Sequence, residues 1–534
     1  MACIDVSEWR LDENHGYFPV GAREKSMLWS PSHHIDGIKP NWPYLFKLSN
    51  PRYPEQYFCE VVAYQIGLEL GIDVPKAVVA VRGDGDNHQV GALIEWFYNP
   101  VDEKFIPAGD YIAKIDPLFD PKKGERHSLL YMNLILRYNE IKYPSIWVID
   151  ALFFDAVIGN TDRHQENWGV VFKRERNADG RNIVESCPLF DNGTSLGHEY
   201  DAEKAMLFDD GKVLKYIEKG RHHIKIKPDD KERIKHLYFI RAAISKIGEM
   251  KVLYLRRIDF LYERIDVILE SAIQLAMPIF ISQNRARWMV RLIKMRLVAI
   301  KARIMNIVIS KIAEPNRLLV TWQPASGGTR YIIGSIEGAN TDNPYFKYSD
   351  DEDELSNAAK HGFVGHPSFR LNGKNYPNPL DVFMRRLPPR ARPDFYKYLA
   401  EFGLPATFDG SNACLLAYTG ARLPSDGFSI LPDLDTMDAP FDYITELAGT
   451  RYQLNVSIDE IQLGDSVDIN LEDDNACDAS AIAVCHNGVR IGYINKAHCS
   501  SIRKLLTTKK LSSVVCKKSG TPERPLIHIN LMVE

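Results

Sequence analysis

Apolar residues recur at two different periods along this chain, and the changes between them mark its organisation. In PEQYFCEVVAYQIGLELG (Pro54 to Gly71) the apolar positions follow helical spacing and the run stops at a glycine, which predicts a helix with a glycine end. WPYLFKL (Trp42 to Leu48) and VGALIEWFY (Val90 to Tyr98) have β character, so residues 1–100 read as short strands around one helix. Residues 145–275 read as mainly helical, interrupted by loops. From Asp230 to Ile312 the pattern is almost unbroken helix, with a break at Met277–Pro278, and a boundary falls near Glu314–Pro315. Beyond it, RLLVTWQPASGGTRYIIGSI (Arg317 to Ile336) predicts a hairpin turning at Ala325-Ser326-Gly327-Gly328, and DDEDE (Asp350 to Glu354) reads as a solvated acidic loop. A second boundary is placed around Asp433–Pro440. From Tyr452 to Val533 short alternating strands with turns such as His486-Asn487-Gly488 suggest a small β-barrel or sandwich. The expected fold class is α+β, with domains at 1–312, 313–435 and 440–534.

Composition changes this picture little. A chain of 534 residues exceeds the roughly 250–300 at which single cores stop growing, so more than one domain is expected. Its 45% hydrophobic and 25% charged residues are ordinary for a globular protein, and a formal charge of -4 gives no overall attraction to polyanions. No stretch approaches a membrane span and the N-terminus lacks a signal-peptide layout, so the expected location is the cytoplasm, with no membrane partner. The eight cysteines contain no CxxC pair, and free buried thiols are the default. The spacing of Cys477, Cys485, His486, His498 and Cys499 matches no standard zinc-ligand pair.

Charge is uneven locally. From Gln283 to Arg317 there are nine Lys or Arg and one acid, Glu314. One reading of Arg285 to Arg303 is a stripe of phosphate contacts on nucleic acid. The favoured reading is a helix packed by its apolar face, its cations solvated or paired. KGRHHIKIK (Lys219 to Lys227) is read the same way, with His222–His223 as a loop feature.

Candidate chemistry concentrates in the first 200 residues. Transfer of a phosphoryl group from ATP needs a backbone-rich loop over the phosphates, a cation on them, oxygen ligands for Mg²⁺ and an acceptor for the hydroxyl proton. PVGAREKS (Pro19 to Ser26) offers Gly21, Ala22 and Arg23 as a turn suited to phosphate oxygens. Lys47 sits in a strand-like run, and Glu60 in the following helix is placed to hold it. The backbone around Glu95–Phe97 is a candidate to meet the adenine edge. In GNTDRHQENWG (Gly159 to Gly169), Asp162 and Asn167 stand five apart as proton acceptor and Mg²⁺ ligand. In LFDNG (Leu189 to Gly193), Asp191 is the second Mg²⁺ ligand. Singly each is weak, since a lone lysine–glutamate pair is more often a surface ion pair. The ordered set within 175 residues is far more specific.

On these residues the stretch Val20 to Gly193 resembles HipA-like serine/threonine kinases: GNTDRHQENWG is similar to their catalytic loop, PLFDNGTSLG to their metal-binding segment, GAREK to their phosphate loop, and CEVVAYQIGLELGIDVP to their glutamate-bearing helix. The resemblance covers roughly the first 300 residues. It implies a two-lobed kinase fold, ATP and Mg²⁺ as cofactors, Asp162 as catalytic base, Asn167 and Asp191 as metal ligands, and Lys47 with Glu60 as the phosphate-orienting pair. It further implies a protein substrate with a hydroxyl acceptor, a toxin-like or defence-associated role and an antitoxin-like partner. The family's regulatory serine before the phosphate loop corresponds here to Phe18, with Ser26 as a substitute candidate. DRHxxN also occurs in phosphatidylinositol kinases, which keeps a lipid or small-molecule acceptor open, and a catalytically silent scaffold is the other alternative.

From about Thr450 onward the chain resembles a HIRAN domain, through Arg451, Tyr452, GDSVDINLEDDNACDASAIAV (Gly464 to Val484) and NGVRIGYINKAHCSSI (Asn487 to Ile502). That resemblance implies a small OB-like barrel and binding of single-stranded DNA, with Tyr452, Asp478 and Lys496 at the DNA-contacting positions and Cys477 in place of a stacking aromatic. The segment between the two resembles a region found beside bacterial HIRAN modules.

Overall fold

In the computed structural model the chain is mixed α+β and divides into two compact units, Met1–Ile304 and Met305–Glu534. The structure describes all residues except 1–2, 13–23, 84–87, 238–247, 277–280, 306, 326, 372, 424, 454–457, 459, 476–477 and 522–523. Gly21, Ala22, Arg23, Phe18, the Met277–Pro278 break, Ser326 and Cys477 therefore lie outside the described residues.

The first unit opens with a six-stranded sheet in the order Ile4–Asp5, Ala77–Arg82, Gln89–Glu95, Pro43–Leu48, Lys25–Trp29, Arg10–Leu11. The predicted helix forms at Tyr57–Leu70 and ends on Gly71 in the left-handed region, φ 63°, where a residue without Cβ is favoured. Its Phe58, Val61, Val62 and Ile66 bury against Leu45, Ala77, Ala92 and Ile94 of the sheet. Tyr44, Phe46, Ala80 and Leu93 pack a smaller cluster with Val6 and Trp9.

The helix Pro144–Ile158 is buried over most of its length and also stops on a left-handed glycine, Gly159. A three-stranded sheet of Lys104–Pro107, Gly169–Arg176 and Asn182–Ser186 follows. Asp230 to Lys235 is not helical, contrary to the periodicity, and is tied down instead by the Arg221–Lys235 bridge, with helix beginning at His236. Helices then run over Gly248–Ala276 and Gln283–Ile304.

The basic helix Gln283–Ile304 buries Trp288, Met289, Leu292, Ile293, Leu297 and Ile300. Five of its seven cations pair with carboxylates: Arg285 with Glu55, Arg291 with Asp210, Lys294 with Asp266, Lys301 with Asp259 and Arg303 with Glu218. A stripe of phosphate contacts is thus replaced by structural ion pairs, in line with the favoured reading.

In the second unit a five-stranded sheet runs Tyr376–Pro377, Tyr345–Tyr348, Tyr331–Glu337, Leu318–Trp322, Phe428–Pro432, and the predicted hairpin is its pair Leu318–Trp322 and Tyr331–Glu337. Two three-stranded sheets follow: Phe441–Glu446, Arg524–Val533, Leu511–Thr521, and Asp468–Leu471, Ile482–His486, Val489–Tyr493. Bridges join Ala448 to Tyr493 and Ser466 to Val514. Asn487 and Gly488 both have positive φ, 50° and 78°, as a two-residue hairpin turn of right twist requires. Residues before and after 440 share one core, in which Leu318, Phe346 and Leu416 belong to the same cluster as Phe441, Ile482, Ile502 and Ile529.

Two expectations are corrected here. DDEDE is not a loop throughout: Asp351 accepts from the Asp353 and Glu354 N–H groups and caps the helix Glu352–Lys360, where acids also suit the positive helix end. A helix, Lys496–Thr508, interrupts the alternating strands, capped by Asn495 and buried through Ala497, Ile502 and Leu505. Among the described residues no helix is long and apolar enough to cross a membrane.

Candidate active site

Lys47 lies in an inner strand of the first sheet, between Lys25–Trp29 and Gln89–Glu95. Its side chain is 5% exposed, and its ammonium is 2.8 Å from Glu60 Oε1 while also pairing with Asp191. Glu60 faces the strand from the helix above, and its other oxygen accepts the Asn192 N–H at 2.8 Å. One carboxylate therefore fixes both the lysine and the backbone beside Asp191. Asp191 itself has φ 56°, a left-handed conformation that Asp and Asn tolerate better than most residues.

The hairpin Gly169–Ser186 explains why distant motifs meet. Its antiparallel strands pair Val170 with Ser186, and Cys187 N–H donates to the Gly169 carbonyl at 3.1 Å. Asn167 precedes the hairpin by two residues and Asp191 follows it by five, so both loops leave the same end.

Arg163 welds the two loops together. Fully buried, it donates to Asp155 Oδ1 at 2.8 Å, to Asn192 Oδ1 at 2.7 Å and to the Phe190 carbonyl. Asp155 comes from the last turn of the helix Pro144–Ile158. Burial raises the Asp155 carboxyl, with Arg163 opposing that shift, so the pair carries its desolvation cost through several hydrogen bonds at once.

Asp162 is held through its backbone. Its N–H donates to Asn160 Oδ1 at 2.9 Å, and its carbonyl accepts from Asn167 Nδ2 at 2.9 Å. Its carboxyl is raised above the ordinary value, mainly by burial, with the nearby Asp191 carboxylate adding to the rise and His164, Arg163 and Lys47 opposing it. No protein donor reaches the Asp162 carboxylate or Asn167 Oδ1 among the described residues. The residues that could hold Mg²⁺ are Asn167 and Asp191, both of which offer the oxygen donors that ion takes. Among the described residues no group of three or more His, Cys, Asp or Glu is arranged to hold a metal unaided, and Cys485, His486, His498 and Cys499 make up no such group.

The adenine-side candidates are placed less simply. Glu95 ends its strand with its N–H donated to the Lys76 carbonyl at 2.8 Å and its carboxylate 2.5 Å from Lys39. Phe97 stacks on Phe190 with ring centroids 4.9 Å apart, which ties this segment to the residue preceding Asp191. Ser26 lies on the strand Lys25–Trp29 and accepts from Arg82.

Asp155, Asn160 and Asn192 were missed by sequence reasoning. Their polar character within apolar surroundings (DALFFDAVIGN for the first two) was the available signal, because buried polar groups are retained where they are bonded.

In the second unit Tyr452 is 67% exposed, with the Arg451 guanidinium 4.6 Å from its ring centroid. Asp478 accepts from the Ser480 N–H at 2.8 Å and hydroxyl at 2.6 Å, and the hydroxyl bond is the main cause holding its carboxyl below the ordinary value. Lys496, at the start of its helix, is 2.7 Å from Glu354. The Glu354 carboxylate is thus the first partner of a candidate DNA contact.

Residues 440–534 match the HIRAN domain family. Solved structures to which the chain is similar include the Helicobacter pylori proinflammatory kinase CtkA, with TM-score 0.44 and 17% identity, covering 57% of this chain and 98% of that one. Another is HipA of the Shewanella oneidensis MR-1 toxin–antitoxin system, solved with HipB and operator DNA, with TM-score 0.32, 13% identity, and coverage of 54% and 66%. The HIRAN domain of human HLTF is similar with TM-score 0.15 and 19% identity, over 17% of this chain and 74% of that domain. No curated protein matches the sequence.

Proposed function

We propose that the chain is an ATP- and Mg²⁺-dependent phosphotransferase that moves a γ-phosphoryl group onto a hydroxyl, a protein serine or threonine being the favoured acceptor. The observation that carries this is the buried Lys47 ammonium bonded at once to Glu60 and to Asp191, with Asp162 and Asn167 in the adjoining loop. Asp191 and Asn167 would hold Mg²⁺, which would supply charge neutralisation on the phosphates. Lys47, fixed by Glu60, orients the phosphates. Asp162 accepts the hydroxyl proton on its carboxylate, and its raised affinity for a proton suits that task. Arg163 holds the proton-accepting and metal-binding loops in one geometry, which is where positioning contributes most to this class of reaction. Gly21, Ala22 and Arg23 complete the reading as the phosphate loop, and the backbone near Phe97 as the adenine contact.

The test is transfer of label from ATP in the presence of Mg²⁺, comparing wild type with Asp162→Asn and Asp191→Asn. Label on protein acceptors, lost in both variants while they remain folded, supports the reading. Label appearing only on lipid or small molecules moves the acceptor class. ATP binding without transfer to any acceptor favours the silent scaffold.

The second part of the reading is single-stranded DNA binding by residues 440–534. The exposed Tyr452 ring offers a stacking platform with Arg451 as its nearby cation, and Lys496 is a further candidate contact. Fluorescence anisotropy of a labelled oligonucleotide, with Tyr452→Ala as control, tests it; equal binding by that variant removes the site.

A further inference from the structure

Behind the candidate catalytic loop lies a group of buried polar side chains that the reaction itself does not use. Asn160 is the hub of the turn carrying Asp162. Its N–H donates to the Asp155 carbonyl at 2.9 Å, its Nδ2 to Asp155 Oδ1 at 3.3 Å, and its Oδ1 accepts the Asp162 N–H. All of these bonds stay within the helix and loop. The bond that anchors Asn160 to another element is 2.9 Å long, from His236 Nε2 to the Asn160 carbonyl.

A carbonyl only accepts, so His236 carries its proton on Nε2 and presents Nδ1 as an acceptor. Facing Nδ1 at 3.5 Å is Arg296 Nη1, which also donates to the Ala156 carbonyl at 3.2 Å. Arg296 is 1% exposed, forms no ion pair among the described residues, and its Nε has no partner there. Burying a guanidinium among neutral acceptors is costly. Its position against the last turn of the helix Pro144–Ile158, where carbonyls concentrate negative charge, offsets part of that cost. The surroundings are shaped around it: a Cβ on Gly159, φ 73°, would stand 2.5 Å from Arg296 Nη2, and a Cβ on Gly220 would stand 2.7 Å from His236 Nδ1. The ring of His222 closes the other side, 4.4 Å from that of His236 and nearly edge-on.

We propose that His236 and Arg296 are positioning residues for Asp162, a neutral His236 relaying the Arg296 guanidinium onto the Asn160 carbonyl and so fixing the turn from which the proton-accepting carboxylate projects. This rests on the phosphotransferase reading. Arg296 belongs to the basic helix Gln283–Ile304 and His236 begins a helical turn after the Arg221–Lys235 bridge, so two elements distant in sequence support the loop. Burial and the neighbouring His222 and Arg296 keep His236 neutral at physiological pH, as the relay requires.

The experiment is steady-state phosphoryl transfer by the full chain carrying His236→Leu, His236→Gln or His236→Asn, with nucleotide binding and the thermal midpoint measured on each. Glutamine can donate to the Asn160 carbonyl through Nε2 and accept from Arg296 through Oε1, whereas asparagine is too short to span both. Expected are a fall in kcat of about 10²-fold in His236→Leu, the scale of a misplacement of about 1 Å, an unchanged KM for ATP, and recovery of most of the loss in His236→Gln. Should the leucine variant not fold, a higher kcat for glutamine than for asparagine supports the same conclusion. Equal kcat in the glutamine and asparagine variants, or a loss confined to KM, overturns the inference while leaving the phosphotransferase standing. A wild-type chain that transfers no phosphate overturns both.

Discussion

Removing the Glu60 carboxylate by Glu60→Ala strips a buried ammonium of one partner and the Asn192 N–H of its acceptor. Breaking a buried ion pair by deleting one member costs about 3–5 kcal/mol. The lower end applies, because Lys47 keeps Asp191, whose side chain is a quarter exposed. An unsatisfied buried N–H adds about 1–3 kcal/mol. A loss of roughly 4–6 kcal/mol follows for the first unit, or a midpoint drop of about 8–12 °C at about 2 °C per kcal/mol for a unit of this size. The assay is differential scanning calorimetry of the full chain, with the transition of the first unit followed. Coupling provides the sharper check. Lys47→Met combined with Glu60→Leu removes both charges, so the double variant should be clearly more stable than the sum of the single losses predicts. A Glu60→Ala midpoint within about 1 °C of wild type, or strict additivity in the cycle, refutes the account of Glu60 as the fixing carboxylate.

Arg285→Ala should destabilise, because Arg285 bonds Glu55 and the carbonyls of Gly197 and Tyr200, whereas Arg287→Ala on the exposed face should change the thermal midpoint little; the reverse order in melting experiments would contradict the structural role of the basic helix. Glu354→Gln releases Lys496 from its pair and should tighten single-stranded DNA binding by about 1.4- to fivefold, given the roughly 0.2–1 kcal/mol typical of partly exposed pairs, with the gain shrinking as salt is raised; unchanged anisotropy curves at low salt would count against it. Burial pulls both His127 and His222 down to about 3. The unfolded chain, titrating near 6.5, therefore binds protons that the native state refuses. Stability falls as pH drops through that window, by about 1.4 kcal/mol per pH unit for each histidine. Neither ring nitrogen of His222 has a partner among the described residues, so His222→Leu should reduce the slope of melting temperature against pH between 6 and 4, and an unaltered slope would be inconsistent with the burial.

Local signals in the sequence were sufficient wherever structure is made by neighbours. Helical spacing closed by Gly71, the β character of YLFKL and the Asn487-Gly488 turn each encode a geometry within a few residues, and each forms where predicted. Local signals misled where a distant surface chose between options. Asp230 to Lys235 has a helical pattern but is held by a bridge to Arg221. The acids of DDEDE are largely solvated as read, but Asp351 caps a helix where a loop was expected. NKAHCSSIRKLL lies among strands, yet a helix forms because one face of it packs into the shared core through Ala497, Ile502 and Leu505.

The residues proposed for phosphoryl transfer stand out in the sequence by their order and spacing. What tertiary structure decided is their meeting: Lys47 reaches Glu60 across 13 positions and Asp191 across 144. It also supplied bonds that the motifs do not announce, namely Arg163 with Asp155 and Asn192, and His236 with Arg296 behind Asn160. A short motif can specify which atoms do chemistry. A buried charge among neutral groups makes sense only when every partner around it is in place, and those partners are gathered by the fold from elements far apart in the chain.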